Sequence, residues 1–170
     1  RLVESGHARD PGFVYAIGRI ALYVSNSAKL TPDEELVGLQ REWQSVQKFA
    51  IANPEHAPYG RAAQEALESL GLWALVRPKL VYGENVTQAA QFVSTGAAQA
   101  GLIALSLAVA PELARSGQHV VLPASRHQPL RQRAALMKNA GPAAVRFYQF
   151  LQREDTPEAL RRSGFAVPLE

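Results

Sequence analysis

An α/β fold with a mainly parallel sheet flanked by helices is predicted by three features of this sequence. Short apolar segments rich in β-branched and aromatic residues alternate with amphipathic stretches along most of the 170 residues, the order that builds strand–helix–strand units. One segment, Gly101-Leu102-Ile103-Ala104-Leu105, is apolar without alternation, as a strand covered on both faces must be. Two turns, Asn53-Pro54-Glu55-His56-Ala57-Pro58-Tyr59-Gly60 and Tyr82-Gly83-Glu84-Asn85-Val86-Thr87-Gln88, place helix-starting residues directly after an apolar run.

Arg1 to Arg9 read as a polar helix, and Phe13 to Val24, dense in aromatic and β-branched residues, as one long strand. Thr31-Pro32-Asp33-Glu34-Glu35 has the make-up of a helix start: a capping hydroxyl, proline at the first position, then acids at the positive end. Leu36, Leu39 and Trp43 of that helix would face the core. Phe49 to Ala52 forms a short buried strand. From Gly60 to Leu70, the residues Ala62, Ala63, Ala66, Leu67 and Leu70 share one helical face, and Gly71 ends the helix. Leu80 to Tyr82 is the next strand. Val86, Ala89, Ala90 and Val93 mark the buried stripe of a second helix that stops at Gly96. Beyond the strand at Gly101, Ser106 is expected to cap a helix to Arg115, followed by Gly117 and a strand from His119 to Leu122. Ala134 to Met137 is a weaker strand. Pro142 to Gln152 is helical, with Val145, Tyr148 and Leu151 on one side, and Thr156-Pro157-Glu158 opens a last helix that Gly164 closes.

The composition narrows the function classes. Apolar residues at 47% and charged residues at 19% describe a chain able to bury a core as one domain or two small lobes. The net charge is +3, and the basic residues of the last third scatter without interleaved aromatics, so no nucleic-acid stripe is expected. The longest apolar run, Gly101 to Ala110, is interrupted by Ser106 and stopped by Pro111, too short for membrane insertion as a spanning helix. Absence of cysteine removes disulfide scaffolds, thiolate zinc sites and cysteine nucleophiles. The start at Arg1, with no methionine or apolar leader, reads as a processed or excised form.

The two turns carry the chemistry. A helix N-terminus leaves its first N–H groups unpaired and bears partial positive charge, so it can hold an anion without a cationic side chain. Asn85 is a good N-cap and Gln88, three residues on, completes a capping-box pattern. Such a cap satisfies an N–H one turn in and leaves that of Val86 at the mouth. In the other turn Pro58 has no N–H, which makes the Tyr59 and Gly60 amides the expected donors, with the Tyr59 hydroxyl as a further one.

The wording of these segments adds a resemblance. Ala52-Asn53-Pro54-Glu55-His56-Ala57-Pro58-Tyr59-Gly60-Arg61-Ala62-Ala63 and Val81-Tyr82-Gly83-Glu84-Asn85-Val86-Thr87-Gln88 closely resemble the periplasmic molybdate-binding proteins of ABC transporters. Phe92 to Gly96, Gly101 to Ser106, Phe13 to Gly18 and Arg162 to Phe165 extend the likeness, in order, over nearly the whole chain. It implies a type II periplasmic binding fold whose lobes close on molybdate or tungstate and deliver it to a membrane permease. By position it assigns anion contacts to the backbone amides of Tyr59 and Val86, so that any molybdenum centre is met only through its oxyanion. Where some members place a tyrosine after the second helix this chain has Ala104, and it resembles the branch that supplies the phenol from Pro58-Tyr59-Gly60. The family's first strand, first helix and second strand belong before Arg1. The expectation is therefore that 15–137 forms lobe II, that 1–14 and 138–170 are a remnant of lobe I, and that this chain alone grips the anion weakly or not at all. A lobe face exposed in this way would promote dimers.

Other residues are expected to play ordinary parts. His56 makes a loop hydrogen bond, and His7, His119 and His127 lack metal spacing. Glu84 would repel a dianion and points to solvent. No Walker, Gly-x-Ser-x-Gly or Gly-x-Gly-x-x-Gly pattern occurs, and no cofactor or enzyme activity is expected. The rival readings are an oxyanion-sensing effector domain of a regulator and an α/β enzyme with an unrecognised site.

Overall fold

The computed structural model describes residues 3–168. Along them run β1 (Phe13–Gly18), β2 (Ile20–Ser25), α1 (Val37–Arg41), β3 (Phe49–Ala52), α2 (Pro58–Ser69), α3 (Trp73–Val76), β4 (Leu80–Gly83), α4 (Val86–Ser94), β5 (Ala100–Ala104), α5 (Leu105–Ala108), α6 (Pro111–Ser116), β6 (Gly117–Val121), β7 (Leu130–Ala134), α7 (Pro142–Phe150) and α8 (Thr156–Arg162). The chain divides into two units, one of 19–130 and one of 3–18 with 131–168.

The larger unit holds a five-stranded sheet in the order β4-β3-β5-β2-β6. β3 pairs in parallel with both β4 and β5, whereas β2 runs antiparallel to β5 and β6. The sheet is thus mixed, with β2 the one reversed strand. Because side chains alternate across a strand, each strand feeds two cores. Ile20, Leu22, Val24, Phe49, Ile51 and Leu102 join the α2 residues Ala62, Ala63, Ala66 and Leu67. Ala21, Tyr23, Ala50 and Ile103 join Ala89, Ala90 and Val93 of α4. Every residue of β2, β3 and β5 is buried, as strands covered on both faces require. The smaller unit contains the β1–β7 pair, α7 and α8.

Several elements depart from expectation. Phe13 to Val24 is not one strand: it breaks at Arg19, and β1 joins β7 while β2 enters the large sheet. Its composition specifies extended backbone but not which partner each half takes. No helix forms over the described residues before Arg9; Gly6, at φ 72°, closes a turn onto the Val3 carbonyl, and Ala8 bridges Met137. Arg1 and Leu2 lie outside the described residues. α1 begins at Val37, not Thr31, because the Asp33 carboxylate reaches forward to accept from the N–H groups of Val37 (2.9 Å) and Gly38 (2.6 Å). Leu36, Leu39 and Trp43 are nonetheless buried. The Ser106–Arg115 helix is two, since Pro111 holds Ala110 extended (ψ 140°) and restarts the helix behind it. The weak strand lies earlier than expected, at Leu130–Ala134.

Candidate functional site

β3 and β4 lie side by side in parallel, so the turns that follow them leave the same edge of the sheet. The ladder continues one step into the turns, where Asn53 donates its N–H to the Gly83 carbonyl at 2.8 Å. Carboxyl edges of this kind are where α/β folds place ligands.

In the first turn, the Asn53 side chain accepts from the Glu55 N–H at 3.0 Å and its carbonyl from the Ala57 N–H at 2.9 Å. This folds the chain back so that Pro58 opens α2, a position where its missing N–H costs nothing. Tyr59 is half-buried, packed against the core on the α2 side. The Gly60 N–H, expected as an anion donor, is already engaged: it closes a tight turn onto the Ala57 carbonyl at 3.0 Å. Its glycine identity serves packing instead. A Cβ there would stand 2.3 Å from the Ala52 carbonyl oxygen, so only glycine lets α2 come this close to the end of β3.

In the second turn Asn85 is extended (φ −148°, ψ 173°), and its side chain accepts from the Gln88 N–H at 3.0 Å. Gln88 reaches back, though to the Glu84 N–H (2.7 Å) and not to that of the cap itself. The Val86 N–H, at the first position of this nine-residue helix, has no hydrogen-bond partner among the described residues. A link invisible at the level of local pattern joins the two turns: His56 Nε2 lies 3.0 Å from the Glu84 carbonyl oxygen. The Glu84 carboxylate is 80% exposed and 3.5 Å from the same nitrogen, an exposed pair that contributes little. Ala104 ends β5 and is buried. Among the described residues no group of three or more His, Cys, Asp or Glu could hold a metal ion, and no helix is long and apolar enough to cross a membrane.

Residues 1–166 match the family described as bacterial extracellular solute-binding protein. The chain belongs to that family. The molybdate-binding protein ModA of Rhodobacter capsulatus is 34% identical over 171 residues, covering 98% of this chain and 64% of that protein. The ModA of Azotobacter vinelandii is 31% identical over 166 residues, covering 96% and 64%. The solved structure of the Azotobacter vinelandii periplasmic molybdate-binding protein superposes with a TM-score of 0.83 at 28% identity, covering 99% of this chain and 73% of that one. The chain therefore spans 64% of the length of these curated relatives. The fold is of the type II periplasmic binding class, as the ordered segments of the sequence imply. Within this family member, Tyr59 and Val86 stand at the heads of the helices that follow two adjacent strands, Asn85 caps the second helix through the Gln88 N–H, and Gly60 lets the first helix approach the end of β3.

Proposed function

We propose that this is a periplasmic solute-binding protein that captures molybdate or tungstate with uncharged hydrogen-bond donors and hands it to an ABC permease, making and breaking no covalent bond. One observation carries the reading. The Val86 N–H stands unpartnered at the head of α4, on a strand paired in parallel with the one leading to Tyr59, in a chain 34% identical to a molybdate-binding protein. The Tyr59 amide and phenol, at the head of α2, are the partner donors. Two helix ends aimed at one anion offer dipole and hydrogen bonds together, each charge-assisted bond being about twice as strong as a neutral one. Uncharged donors also select. A lysine would attract any anion, whereas fixed N–H groups discriminate by oxygen spacing, which favours molybdate and tungstate alike over the smaller sulfate.

We take the 19–130 unit, narrower than the expected 15–137, as lobe II and the other unit as the remnant of lobe I. Two helix ends fill only part of the hydrogen-bonding capacity of four oxygens. The remaining oxygens need donors beyond these two turns, so these two helix ends alone give only modest affinity. An effector domain of a regulator is the other use of such a fold, and neither named ModA relative is one.

Val86→Pro isolates the decisive donor. Proline is tolerated at the first helical position and the extended Asn85 suits a following proline, so the substitution removes the N–H and keeps the helix. In a ¹⁵N NMR titration with molybdate, the Val86 and Tyr59 amides of the parent chain should shift together and saturably, and sulfate should shift them less. Val86→Pro should weaken binding by about tenfold or more with the thermal midpoint close to the parent's. A molybdate response that survives Val86→Pro unchanged, or a sulfate response of equal strength, overturns the reading.

A further inference from the structure

We propose that His56 is a positioning residue for the oxyanion site, a strut thrown from the first turn to the second that fixes the direction of the Val86 N–H. The inference rests on the reading of the site given above.

The Glu84 main chain is held at both of its polar groups by side chains. Gln88 accepts its N–H at 2.7 Å, and His56 Nε2 meets its carbonyl at 3.0 Å. A carbonyl oxygen only accepts, so Nε2 carries the proton and donates it. Immediately downstream, the Asn85 side chain is pinned to the Gln88 N–H at 3.0 Å. With the Glu84 carbonyl fixed on one side and the Asn85 cap on the other, the dihedrals of Asn85 have no slack, and those dihedrals aim the Val86 N–H. Gln88 and Asn85 act from within their own helix start. His56 acts from 28 residues away, on the turn that presents Tyr59. The Asn53–Gly83 bond ties the turns at the sheet edge, and His56 adds a second tie farther out. Two ties set an angle where one sets only a distance, so His56 couples the placement of one donor to that of the other.

His56 is itself half exposed and outside both cores, so its substitution spares the fold. The same ¹⁵N titration, run on His56→Ala, His56→Gln and Val86→Pro, tests the role. His56→Ala should weaken molybdate binding by about three- to tenfold and speed solvent exchange of the Val86 amide in the ligand-free chain. His56→Gln, whose amide nitrogen reaches the position of Nε2, should restore affinity to within about twofold. Parent-like affinity in His56→Ala, or affinity in His56→Gln as weak as in His56→Ala, overturns the strut. The Val86→Pro arm separates the two readings. If it binds like the parent, the site itself is misplaced; if it binds weakly while His56→Ala binds normally, only the role of His56 fails.

Discussion

The two units are held together by different physics. In 19–130, apolar side chains from both faces of a five-stranded sheet pack against α2 and α4, and Phe49, Leu22, Ile51, Leu67 and Ile103 are completely buried. In the smaller unit α7 has no fully buried residue, and Phe147 and Phe150 are 61% and 45% exposed, stacked on each other with ring centroids 6.3 Å apart. Polar stitching replaces a core there. Arg9 donates to the carbonyls of Lys138 and Ala140, Tyr15 to Gln132, and Tyr148 to Asp10. Both helix heads of the proposed site grow from the well-packed unit. A site that discriminates by oxygen spacing needs donors locked by packing, and only one unit provides that.

The largest expected effect breaks or sustains this contrast directly. Phe49→Ala should lower the unfolding free energy by about 3–5 kcal/mol in urea, while Phe150→Ala, whose ring is half in solvent, should change it by less than about 0.5 kcal/mol. Equal losses would mean that the smaller unit has a core after all. A pair of glycines gives a smaller effect. Gly60→Ala forces a methyl onto the Ala52 carbonyl and should cost about 1–3 kcal/mol together with the molybdate response. At Gly141, which has nothing within 4 Å of an added Cβ, the same change should be nearly silent by thermal unfolding.

The contrast also marks what the sequence reveals. The strands and helices around the site were legible because each is specified locally: Phe49–Ala52 by an unbroken apolar run, α2 and α4 by helical stripes that end at Gly71 (φ 69°) and Gly96 (φ 79°). Even the availability of the Val86 N–H could be read from Asn85 and Gln88, because a side-chain cap engages the third N–H and not the first. The illegible parts are non-local or depend on fine turn geometry. Nothing in Phe13 to Val24 says that its halves join different sheets. Gly60 looks like a free donor until the chain tightens enough to bond Ala57. Asp33 caps a helix start four residues ahead, with Leu36 in the left-handed region (φ 56°), a geometry that the Thr31-Pro32 pattern conceals. The His56–Glu84 link exists only because two parallel strands bring the turns together.

The smallest expected effect sharpens the contrast by pH. Burial, then the hydrogen bond to the Asp10 carboxylate and its charge, raise the Tyr148 hydroxyl above the ordinary tyrosine value of 10.0, with Arg133 pulling the other way. Between the two values the unfolded chain has released a proton that the folded chain still holds, so stability falls as pH rises. The contribution of Tyr148 is complete below about pH 10 and lost as pH climbs through its folded value. Tyr148→Phe removes the proton at issue. The variant should show a shallower alkaline loss of stability than the parent in urea titrations at successive pH values, and a difference absorbance titration of the two should place the missing phenolate above 10.0. Identical alkaline slopes would show that the hydroxyl–carboxylate bond does not help hold α7 in the folded chain, and the smaller unit would have to owe its order to the Phe13–Tyr148 ring contact at 5.2 Å and its backbone pairing.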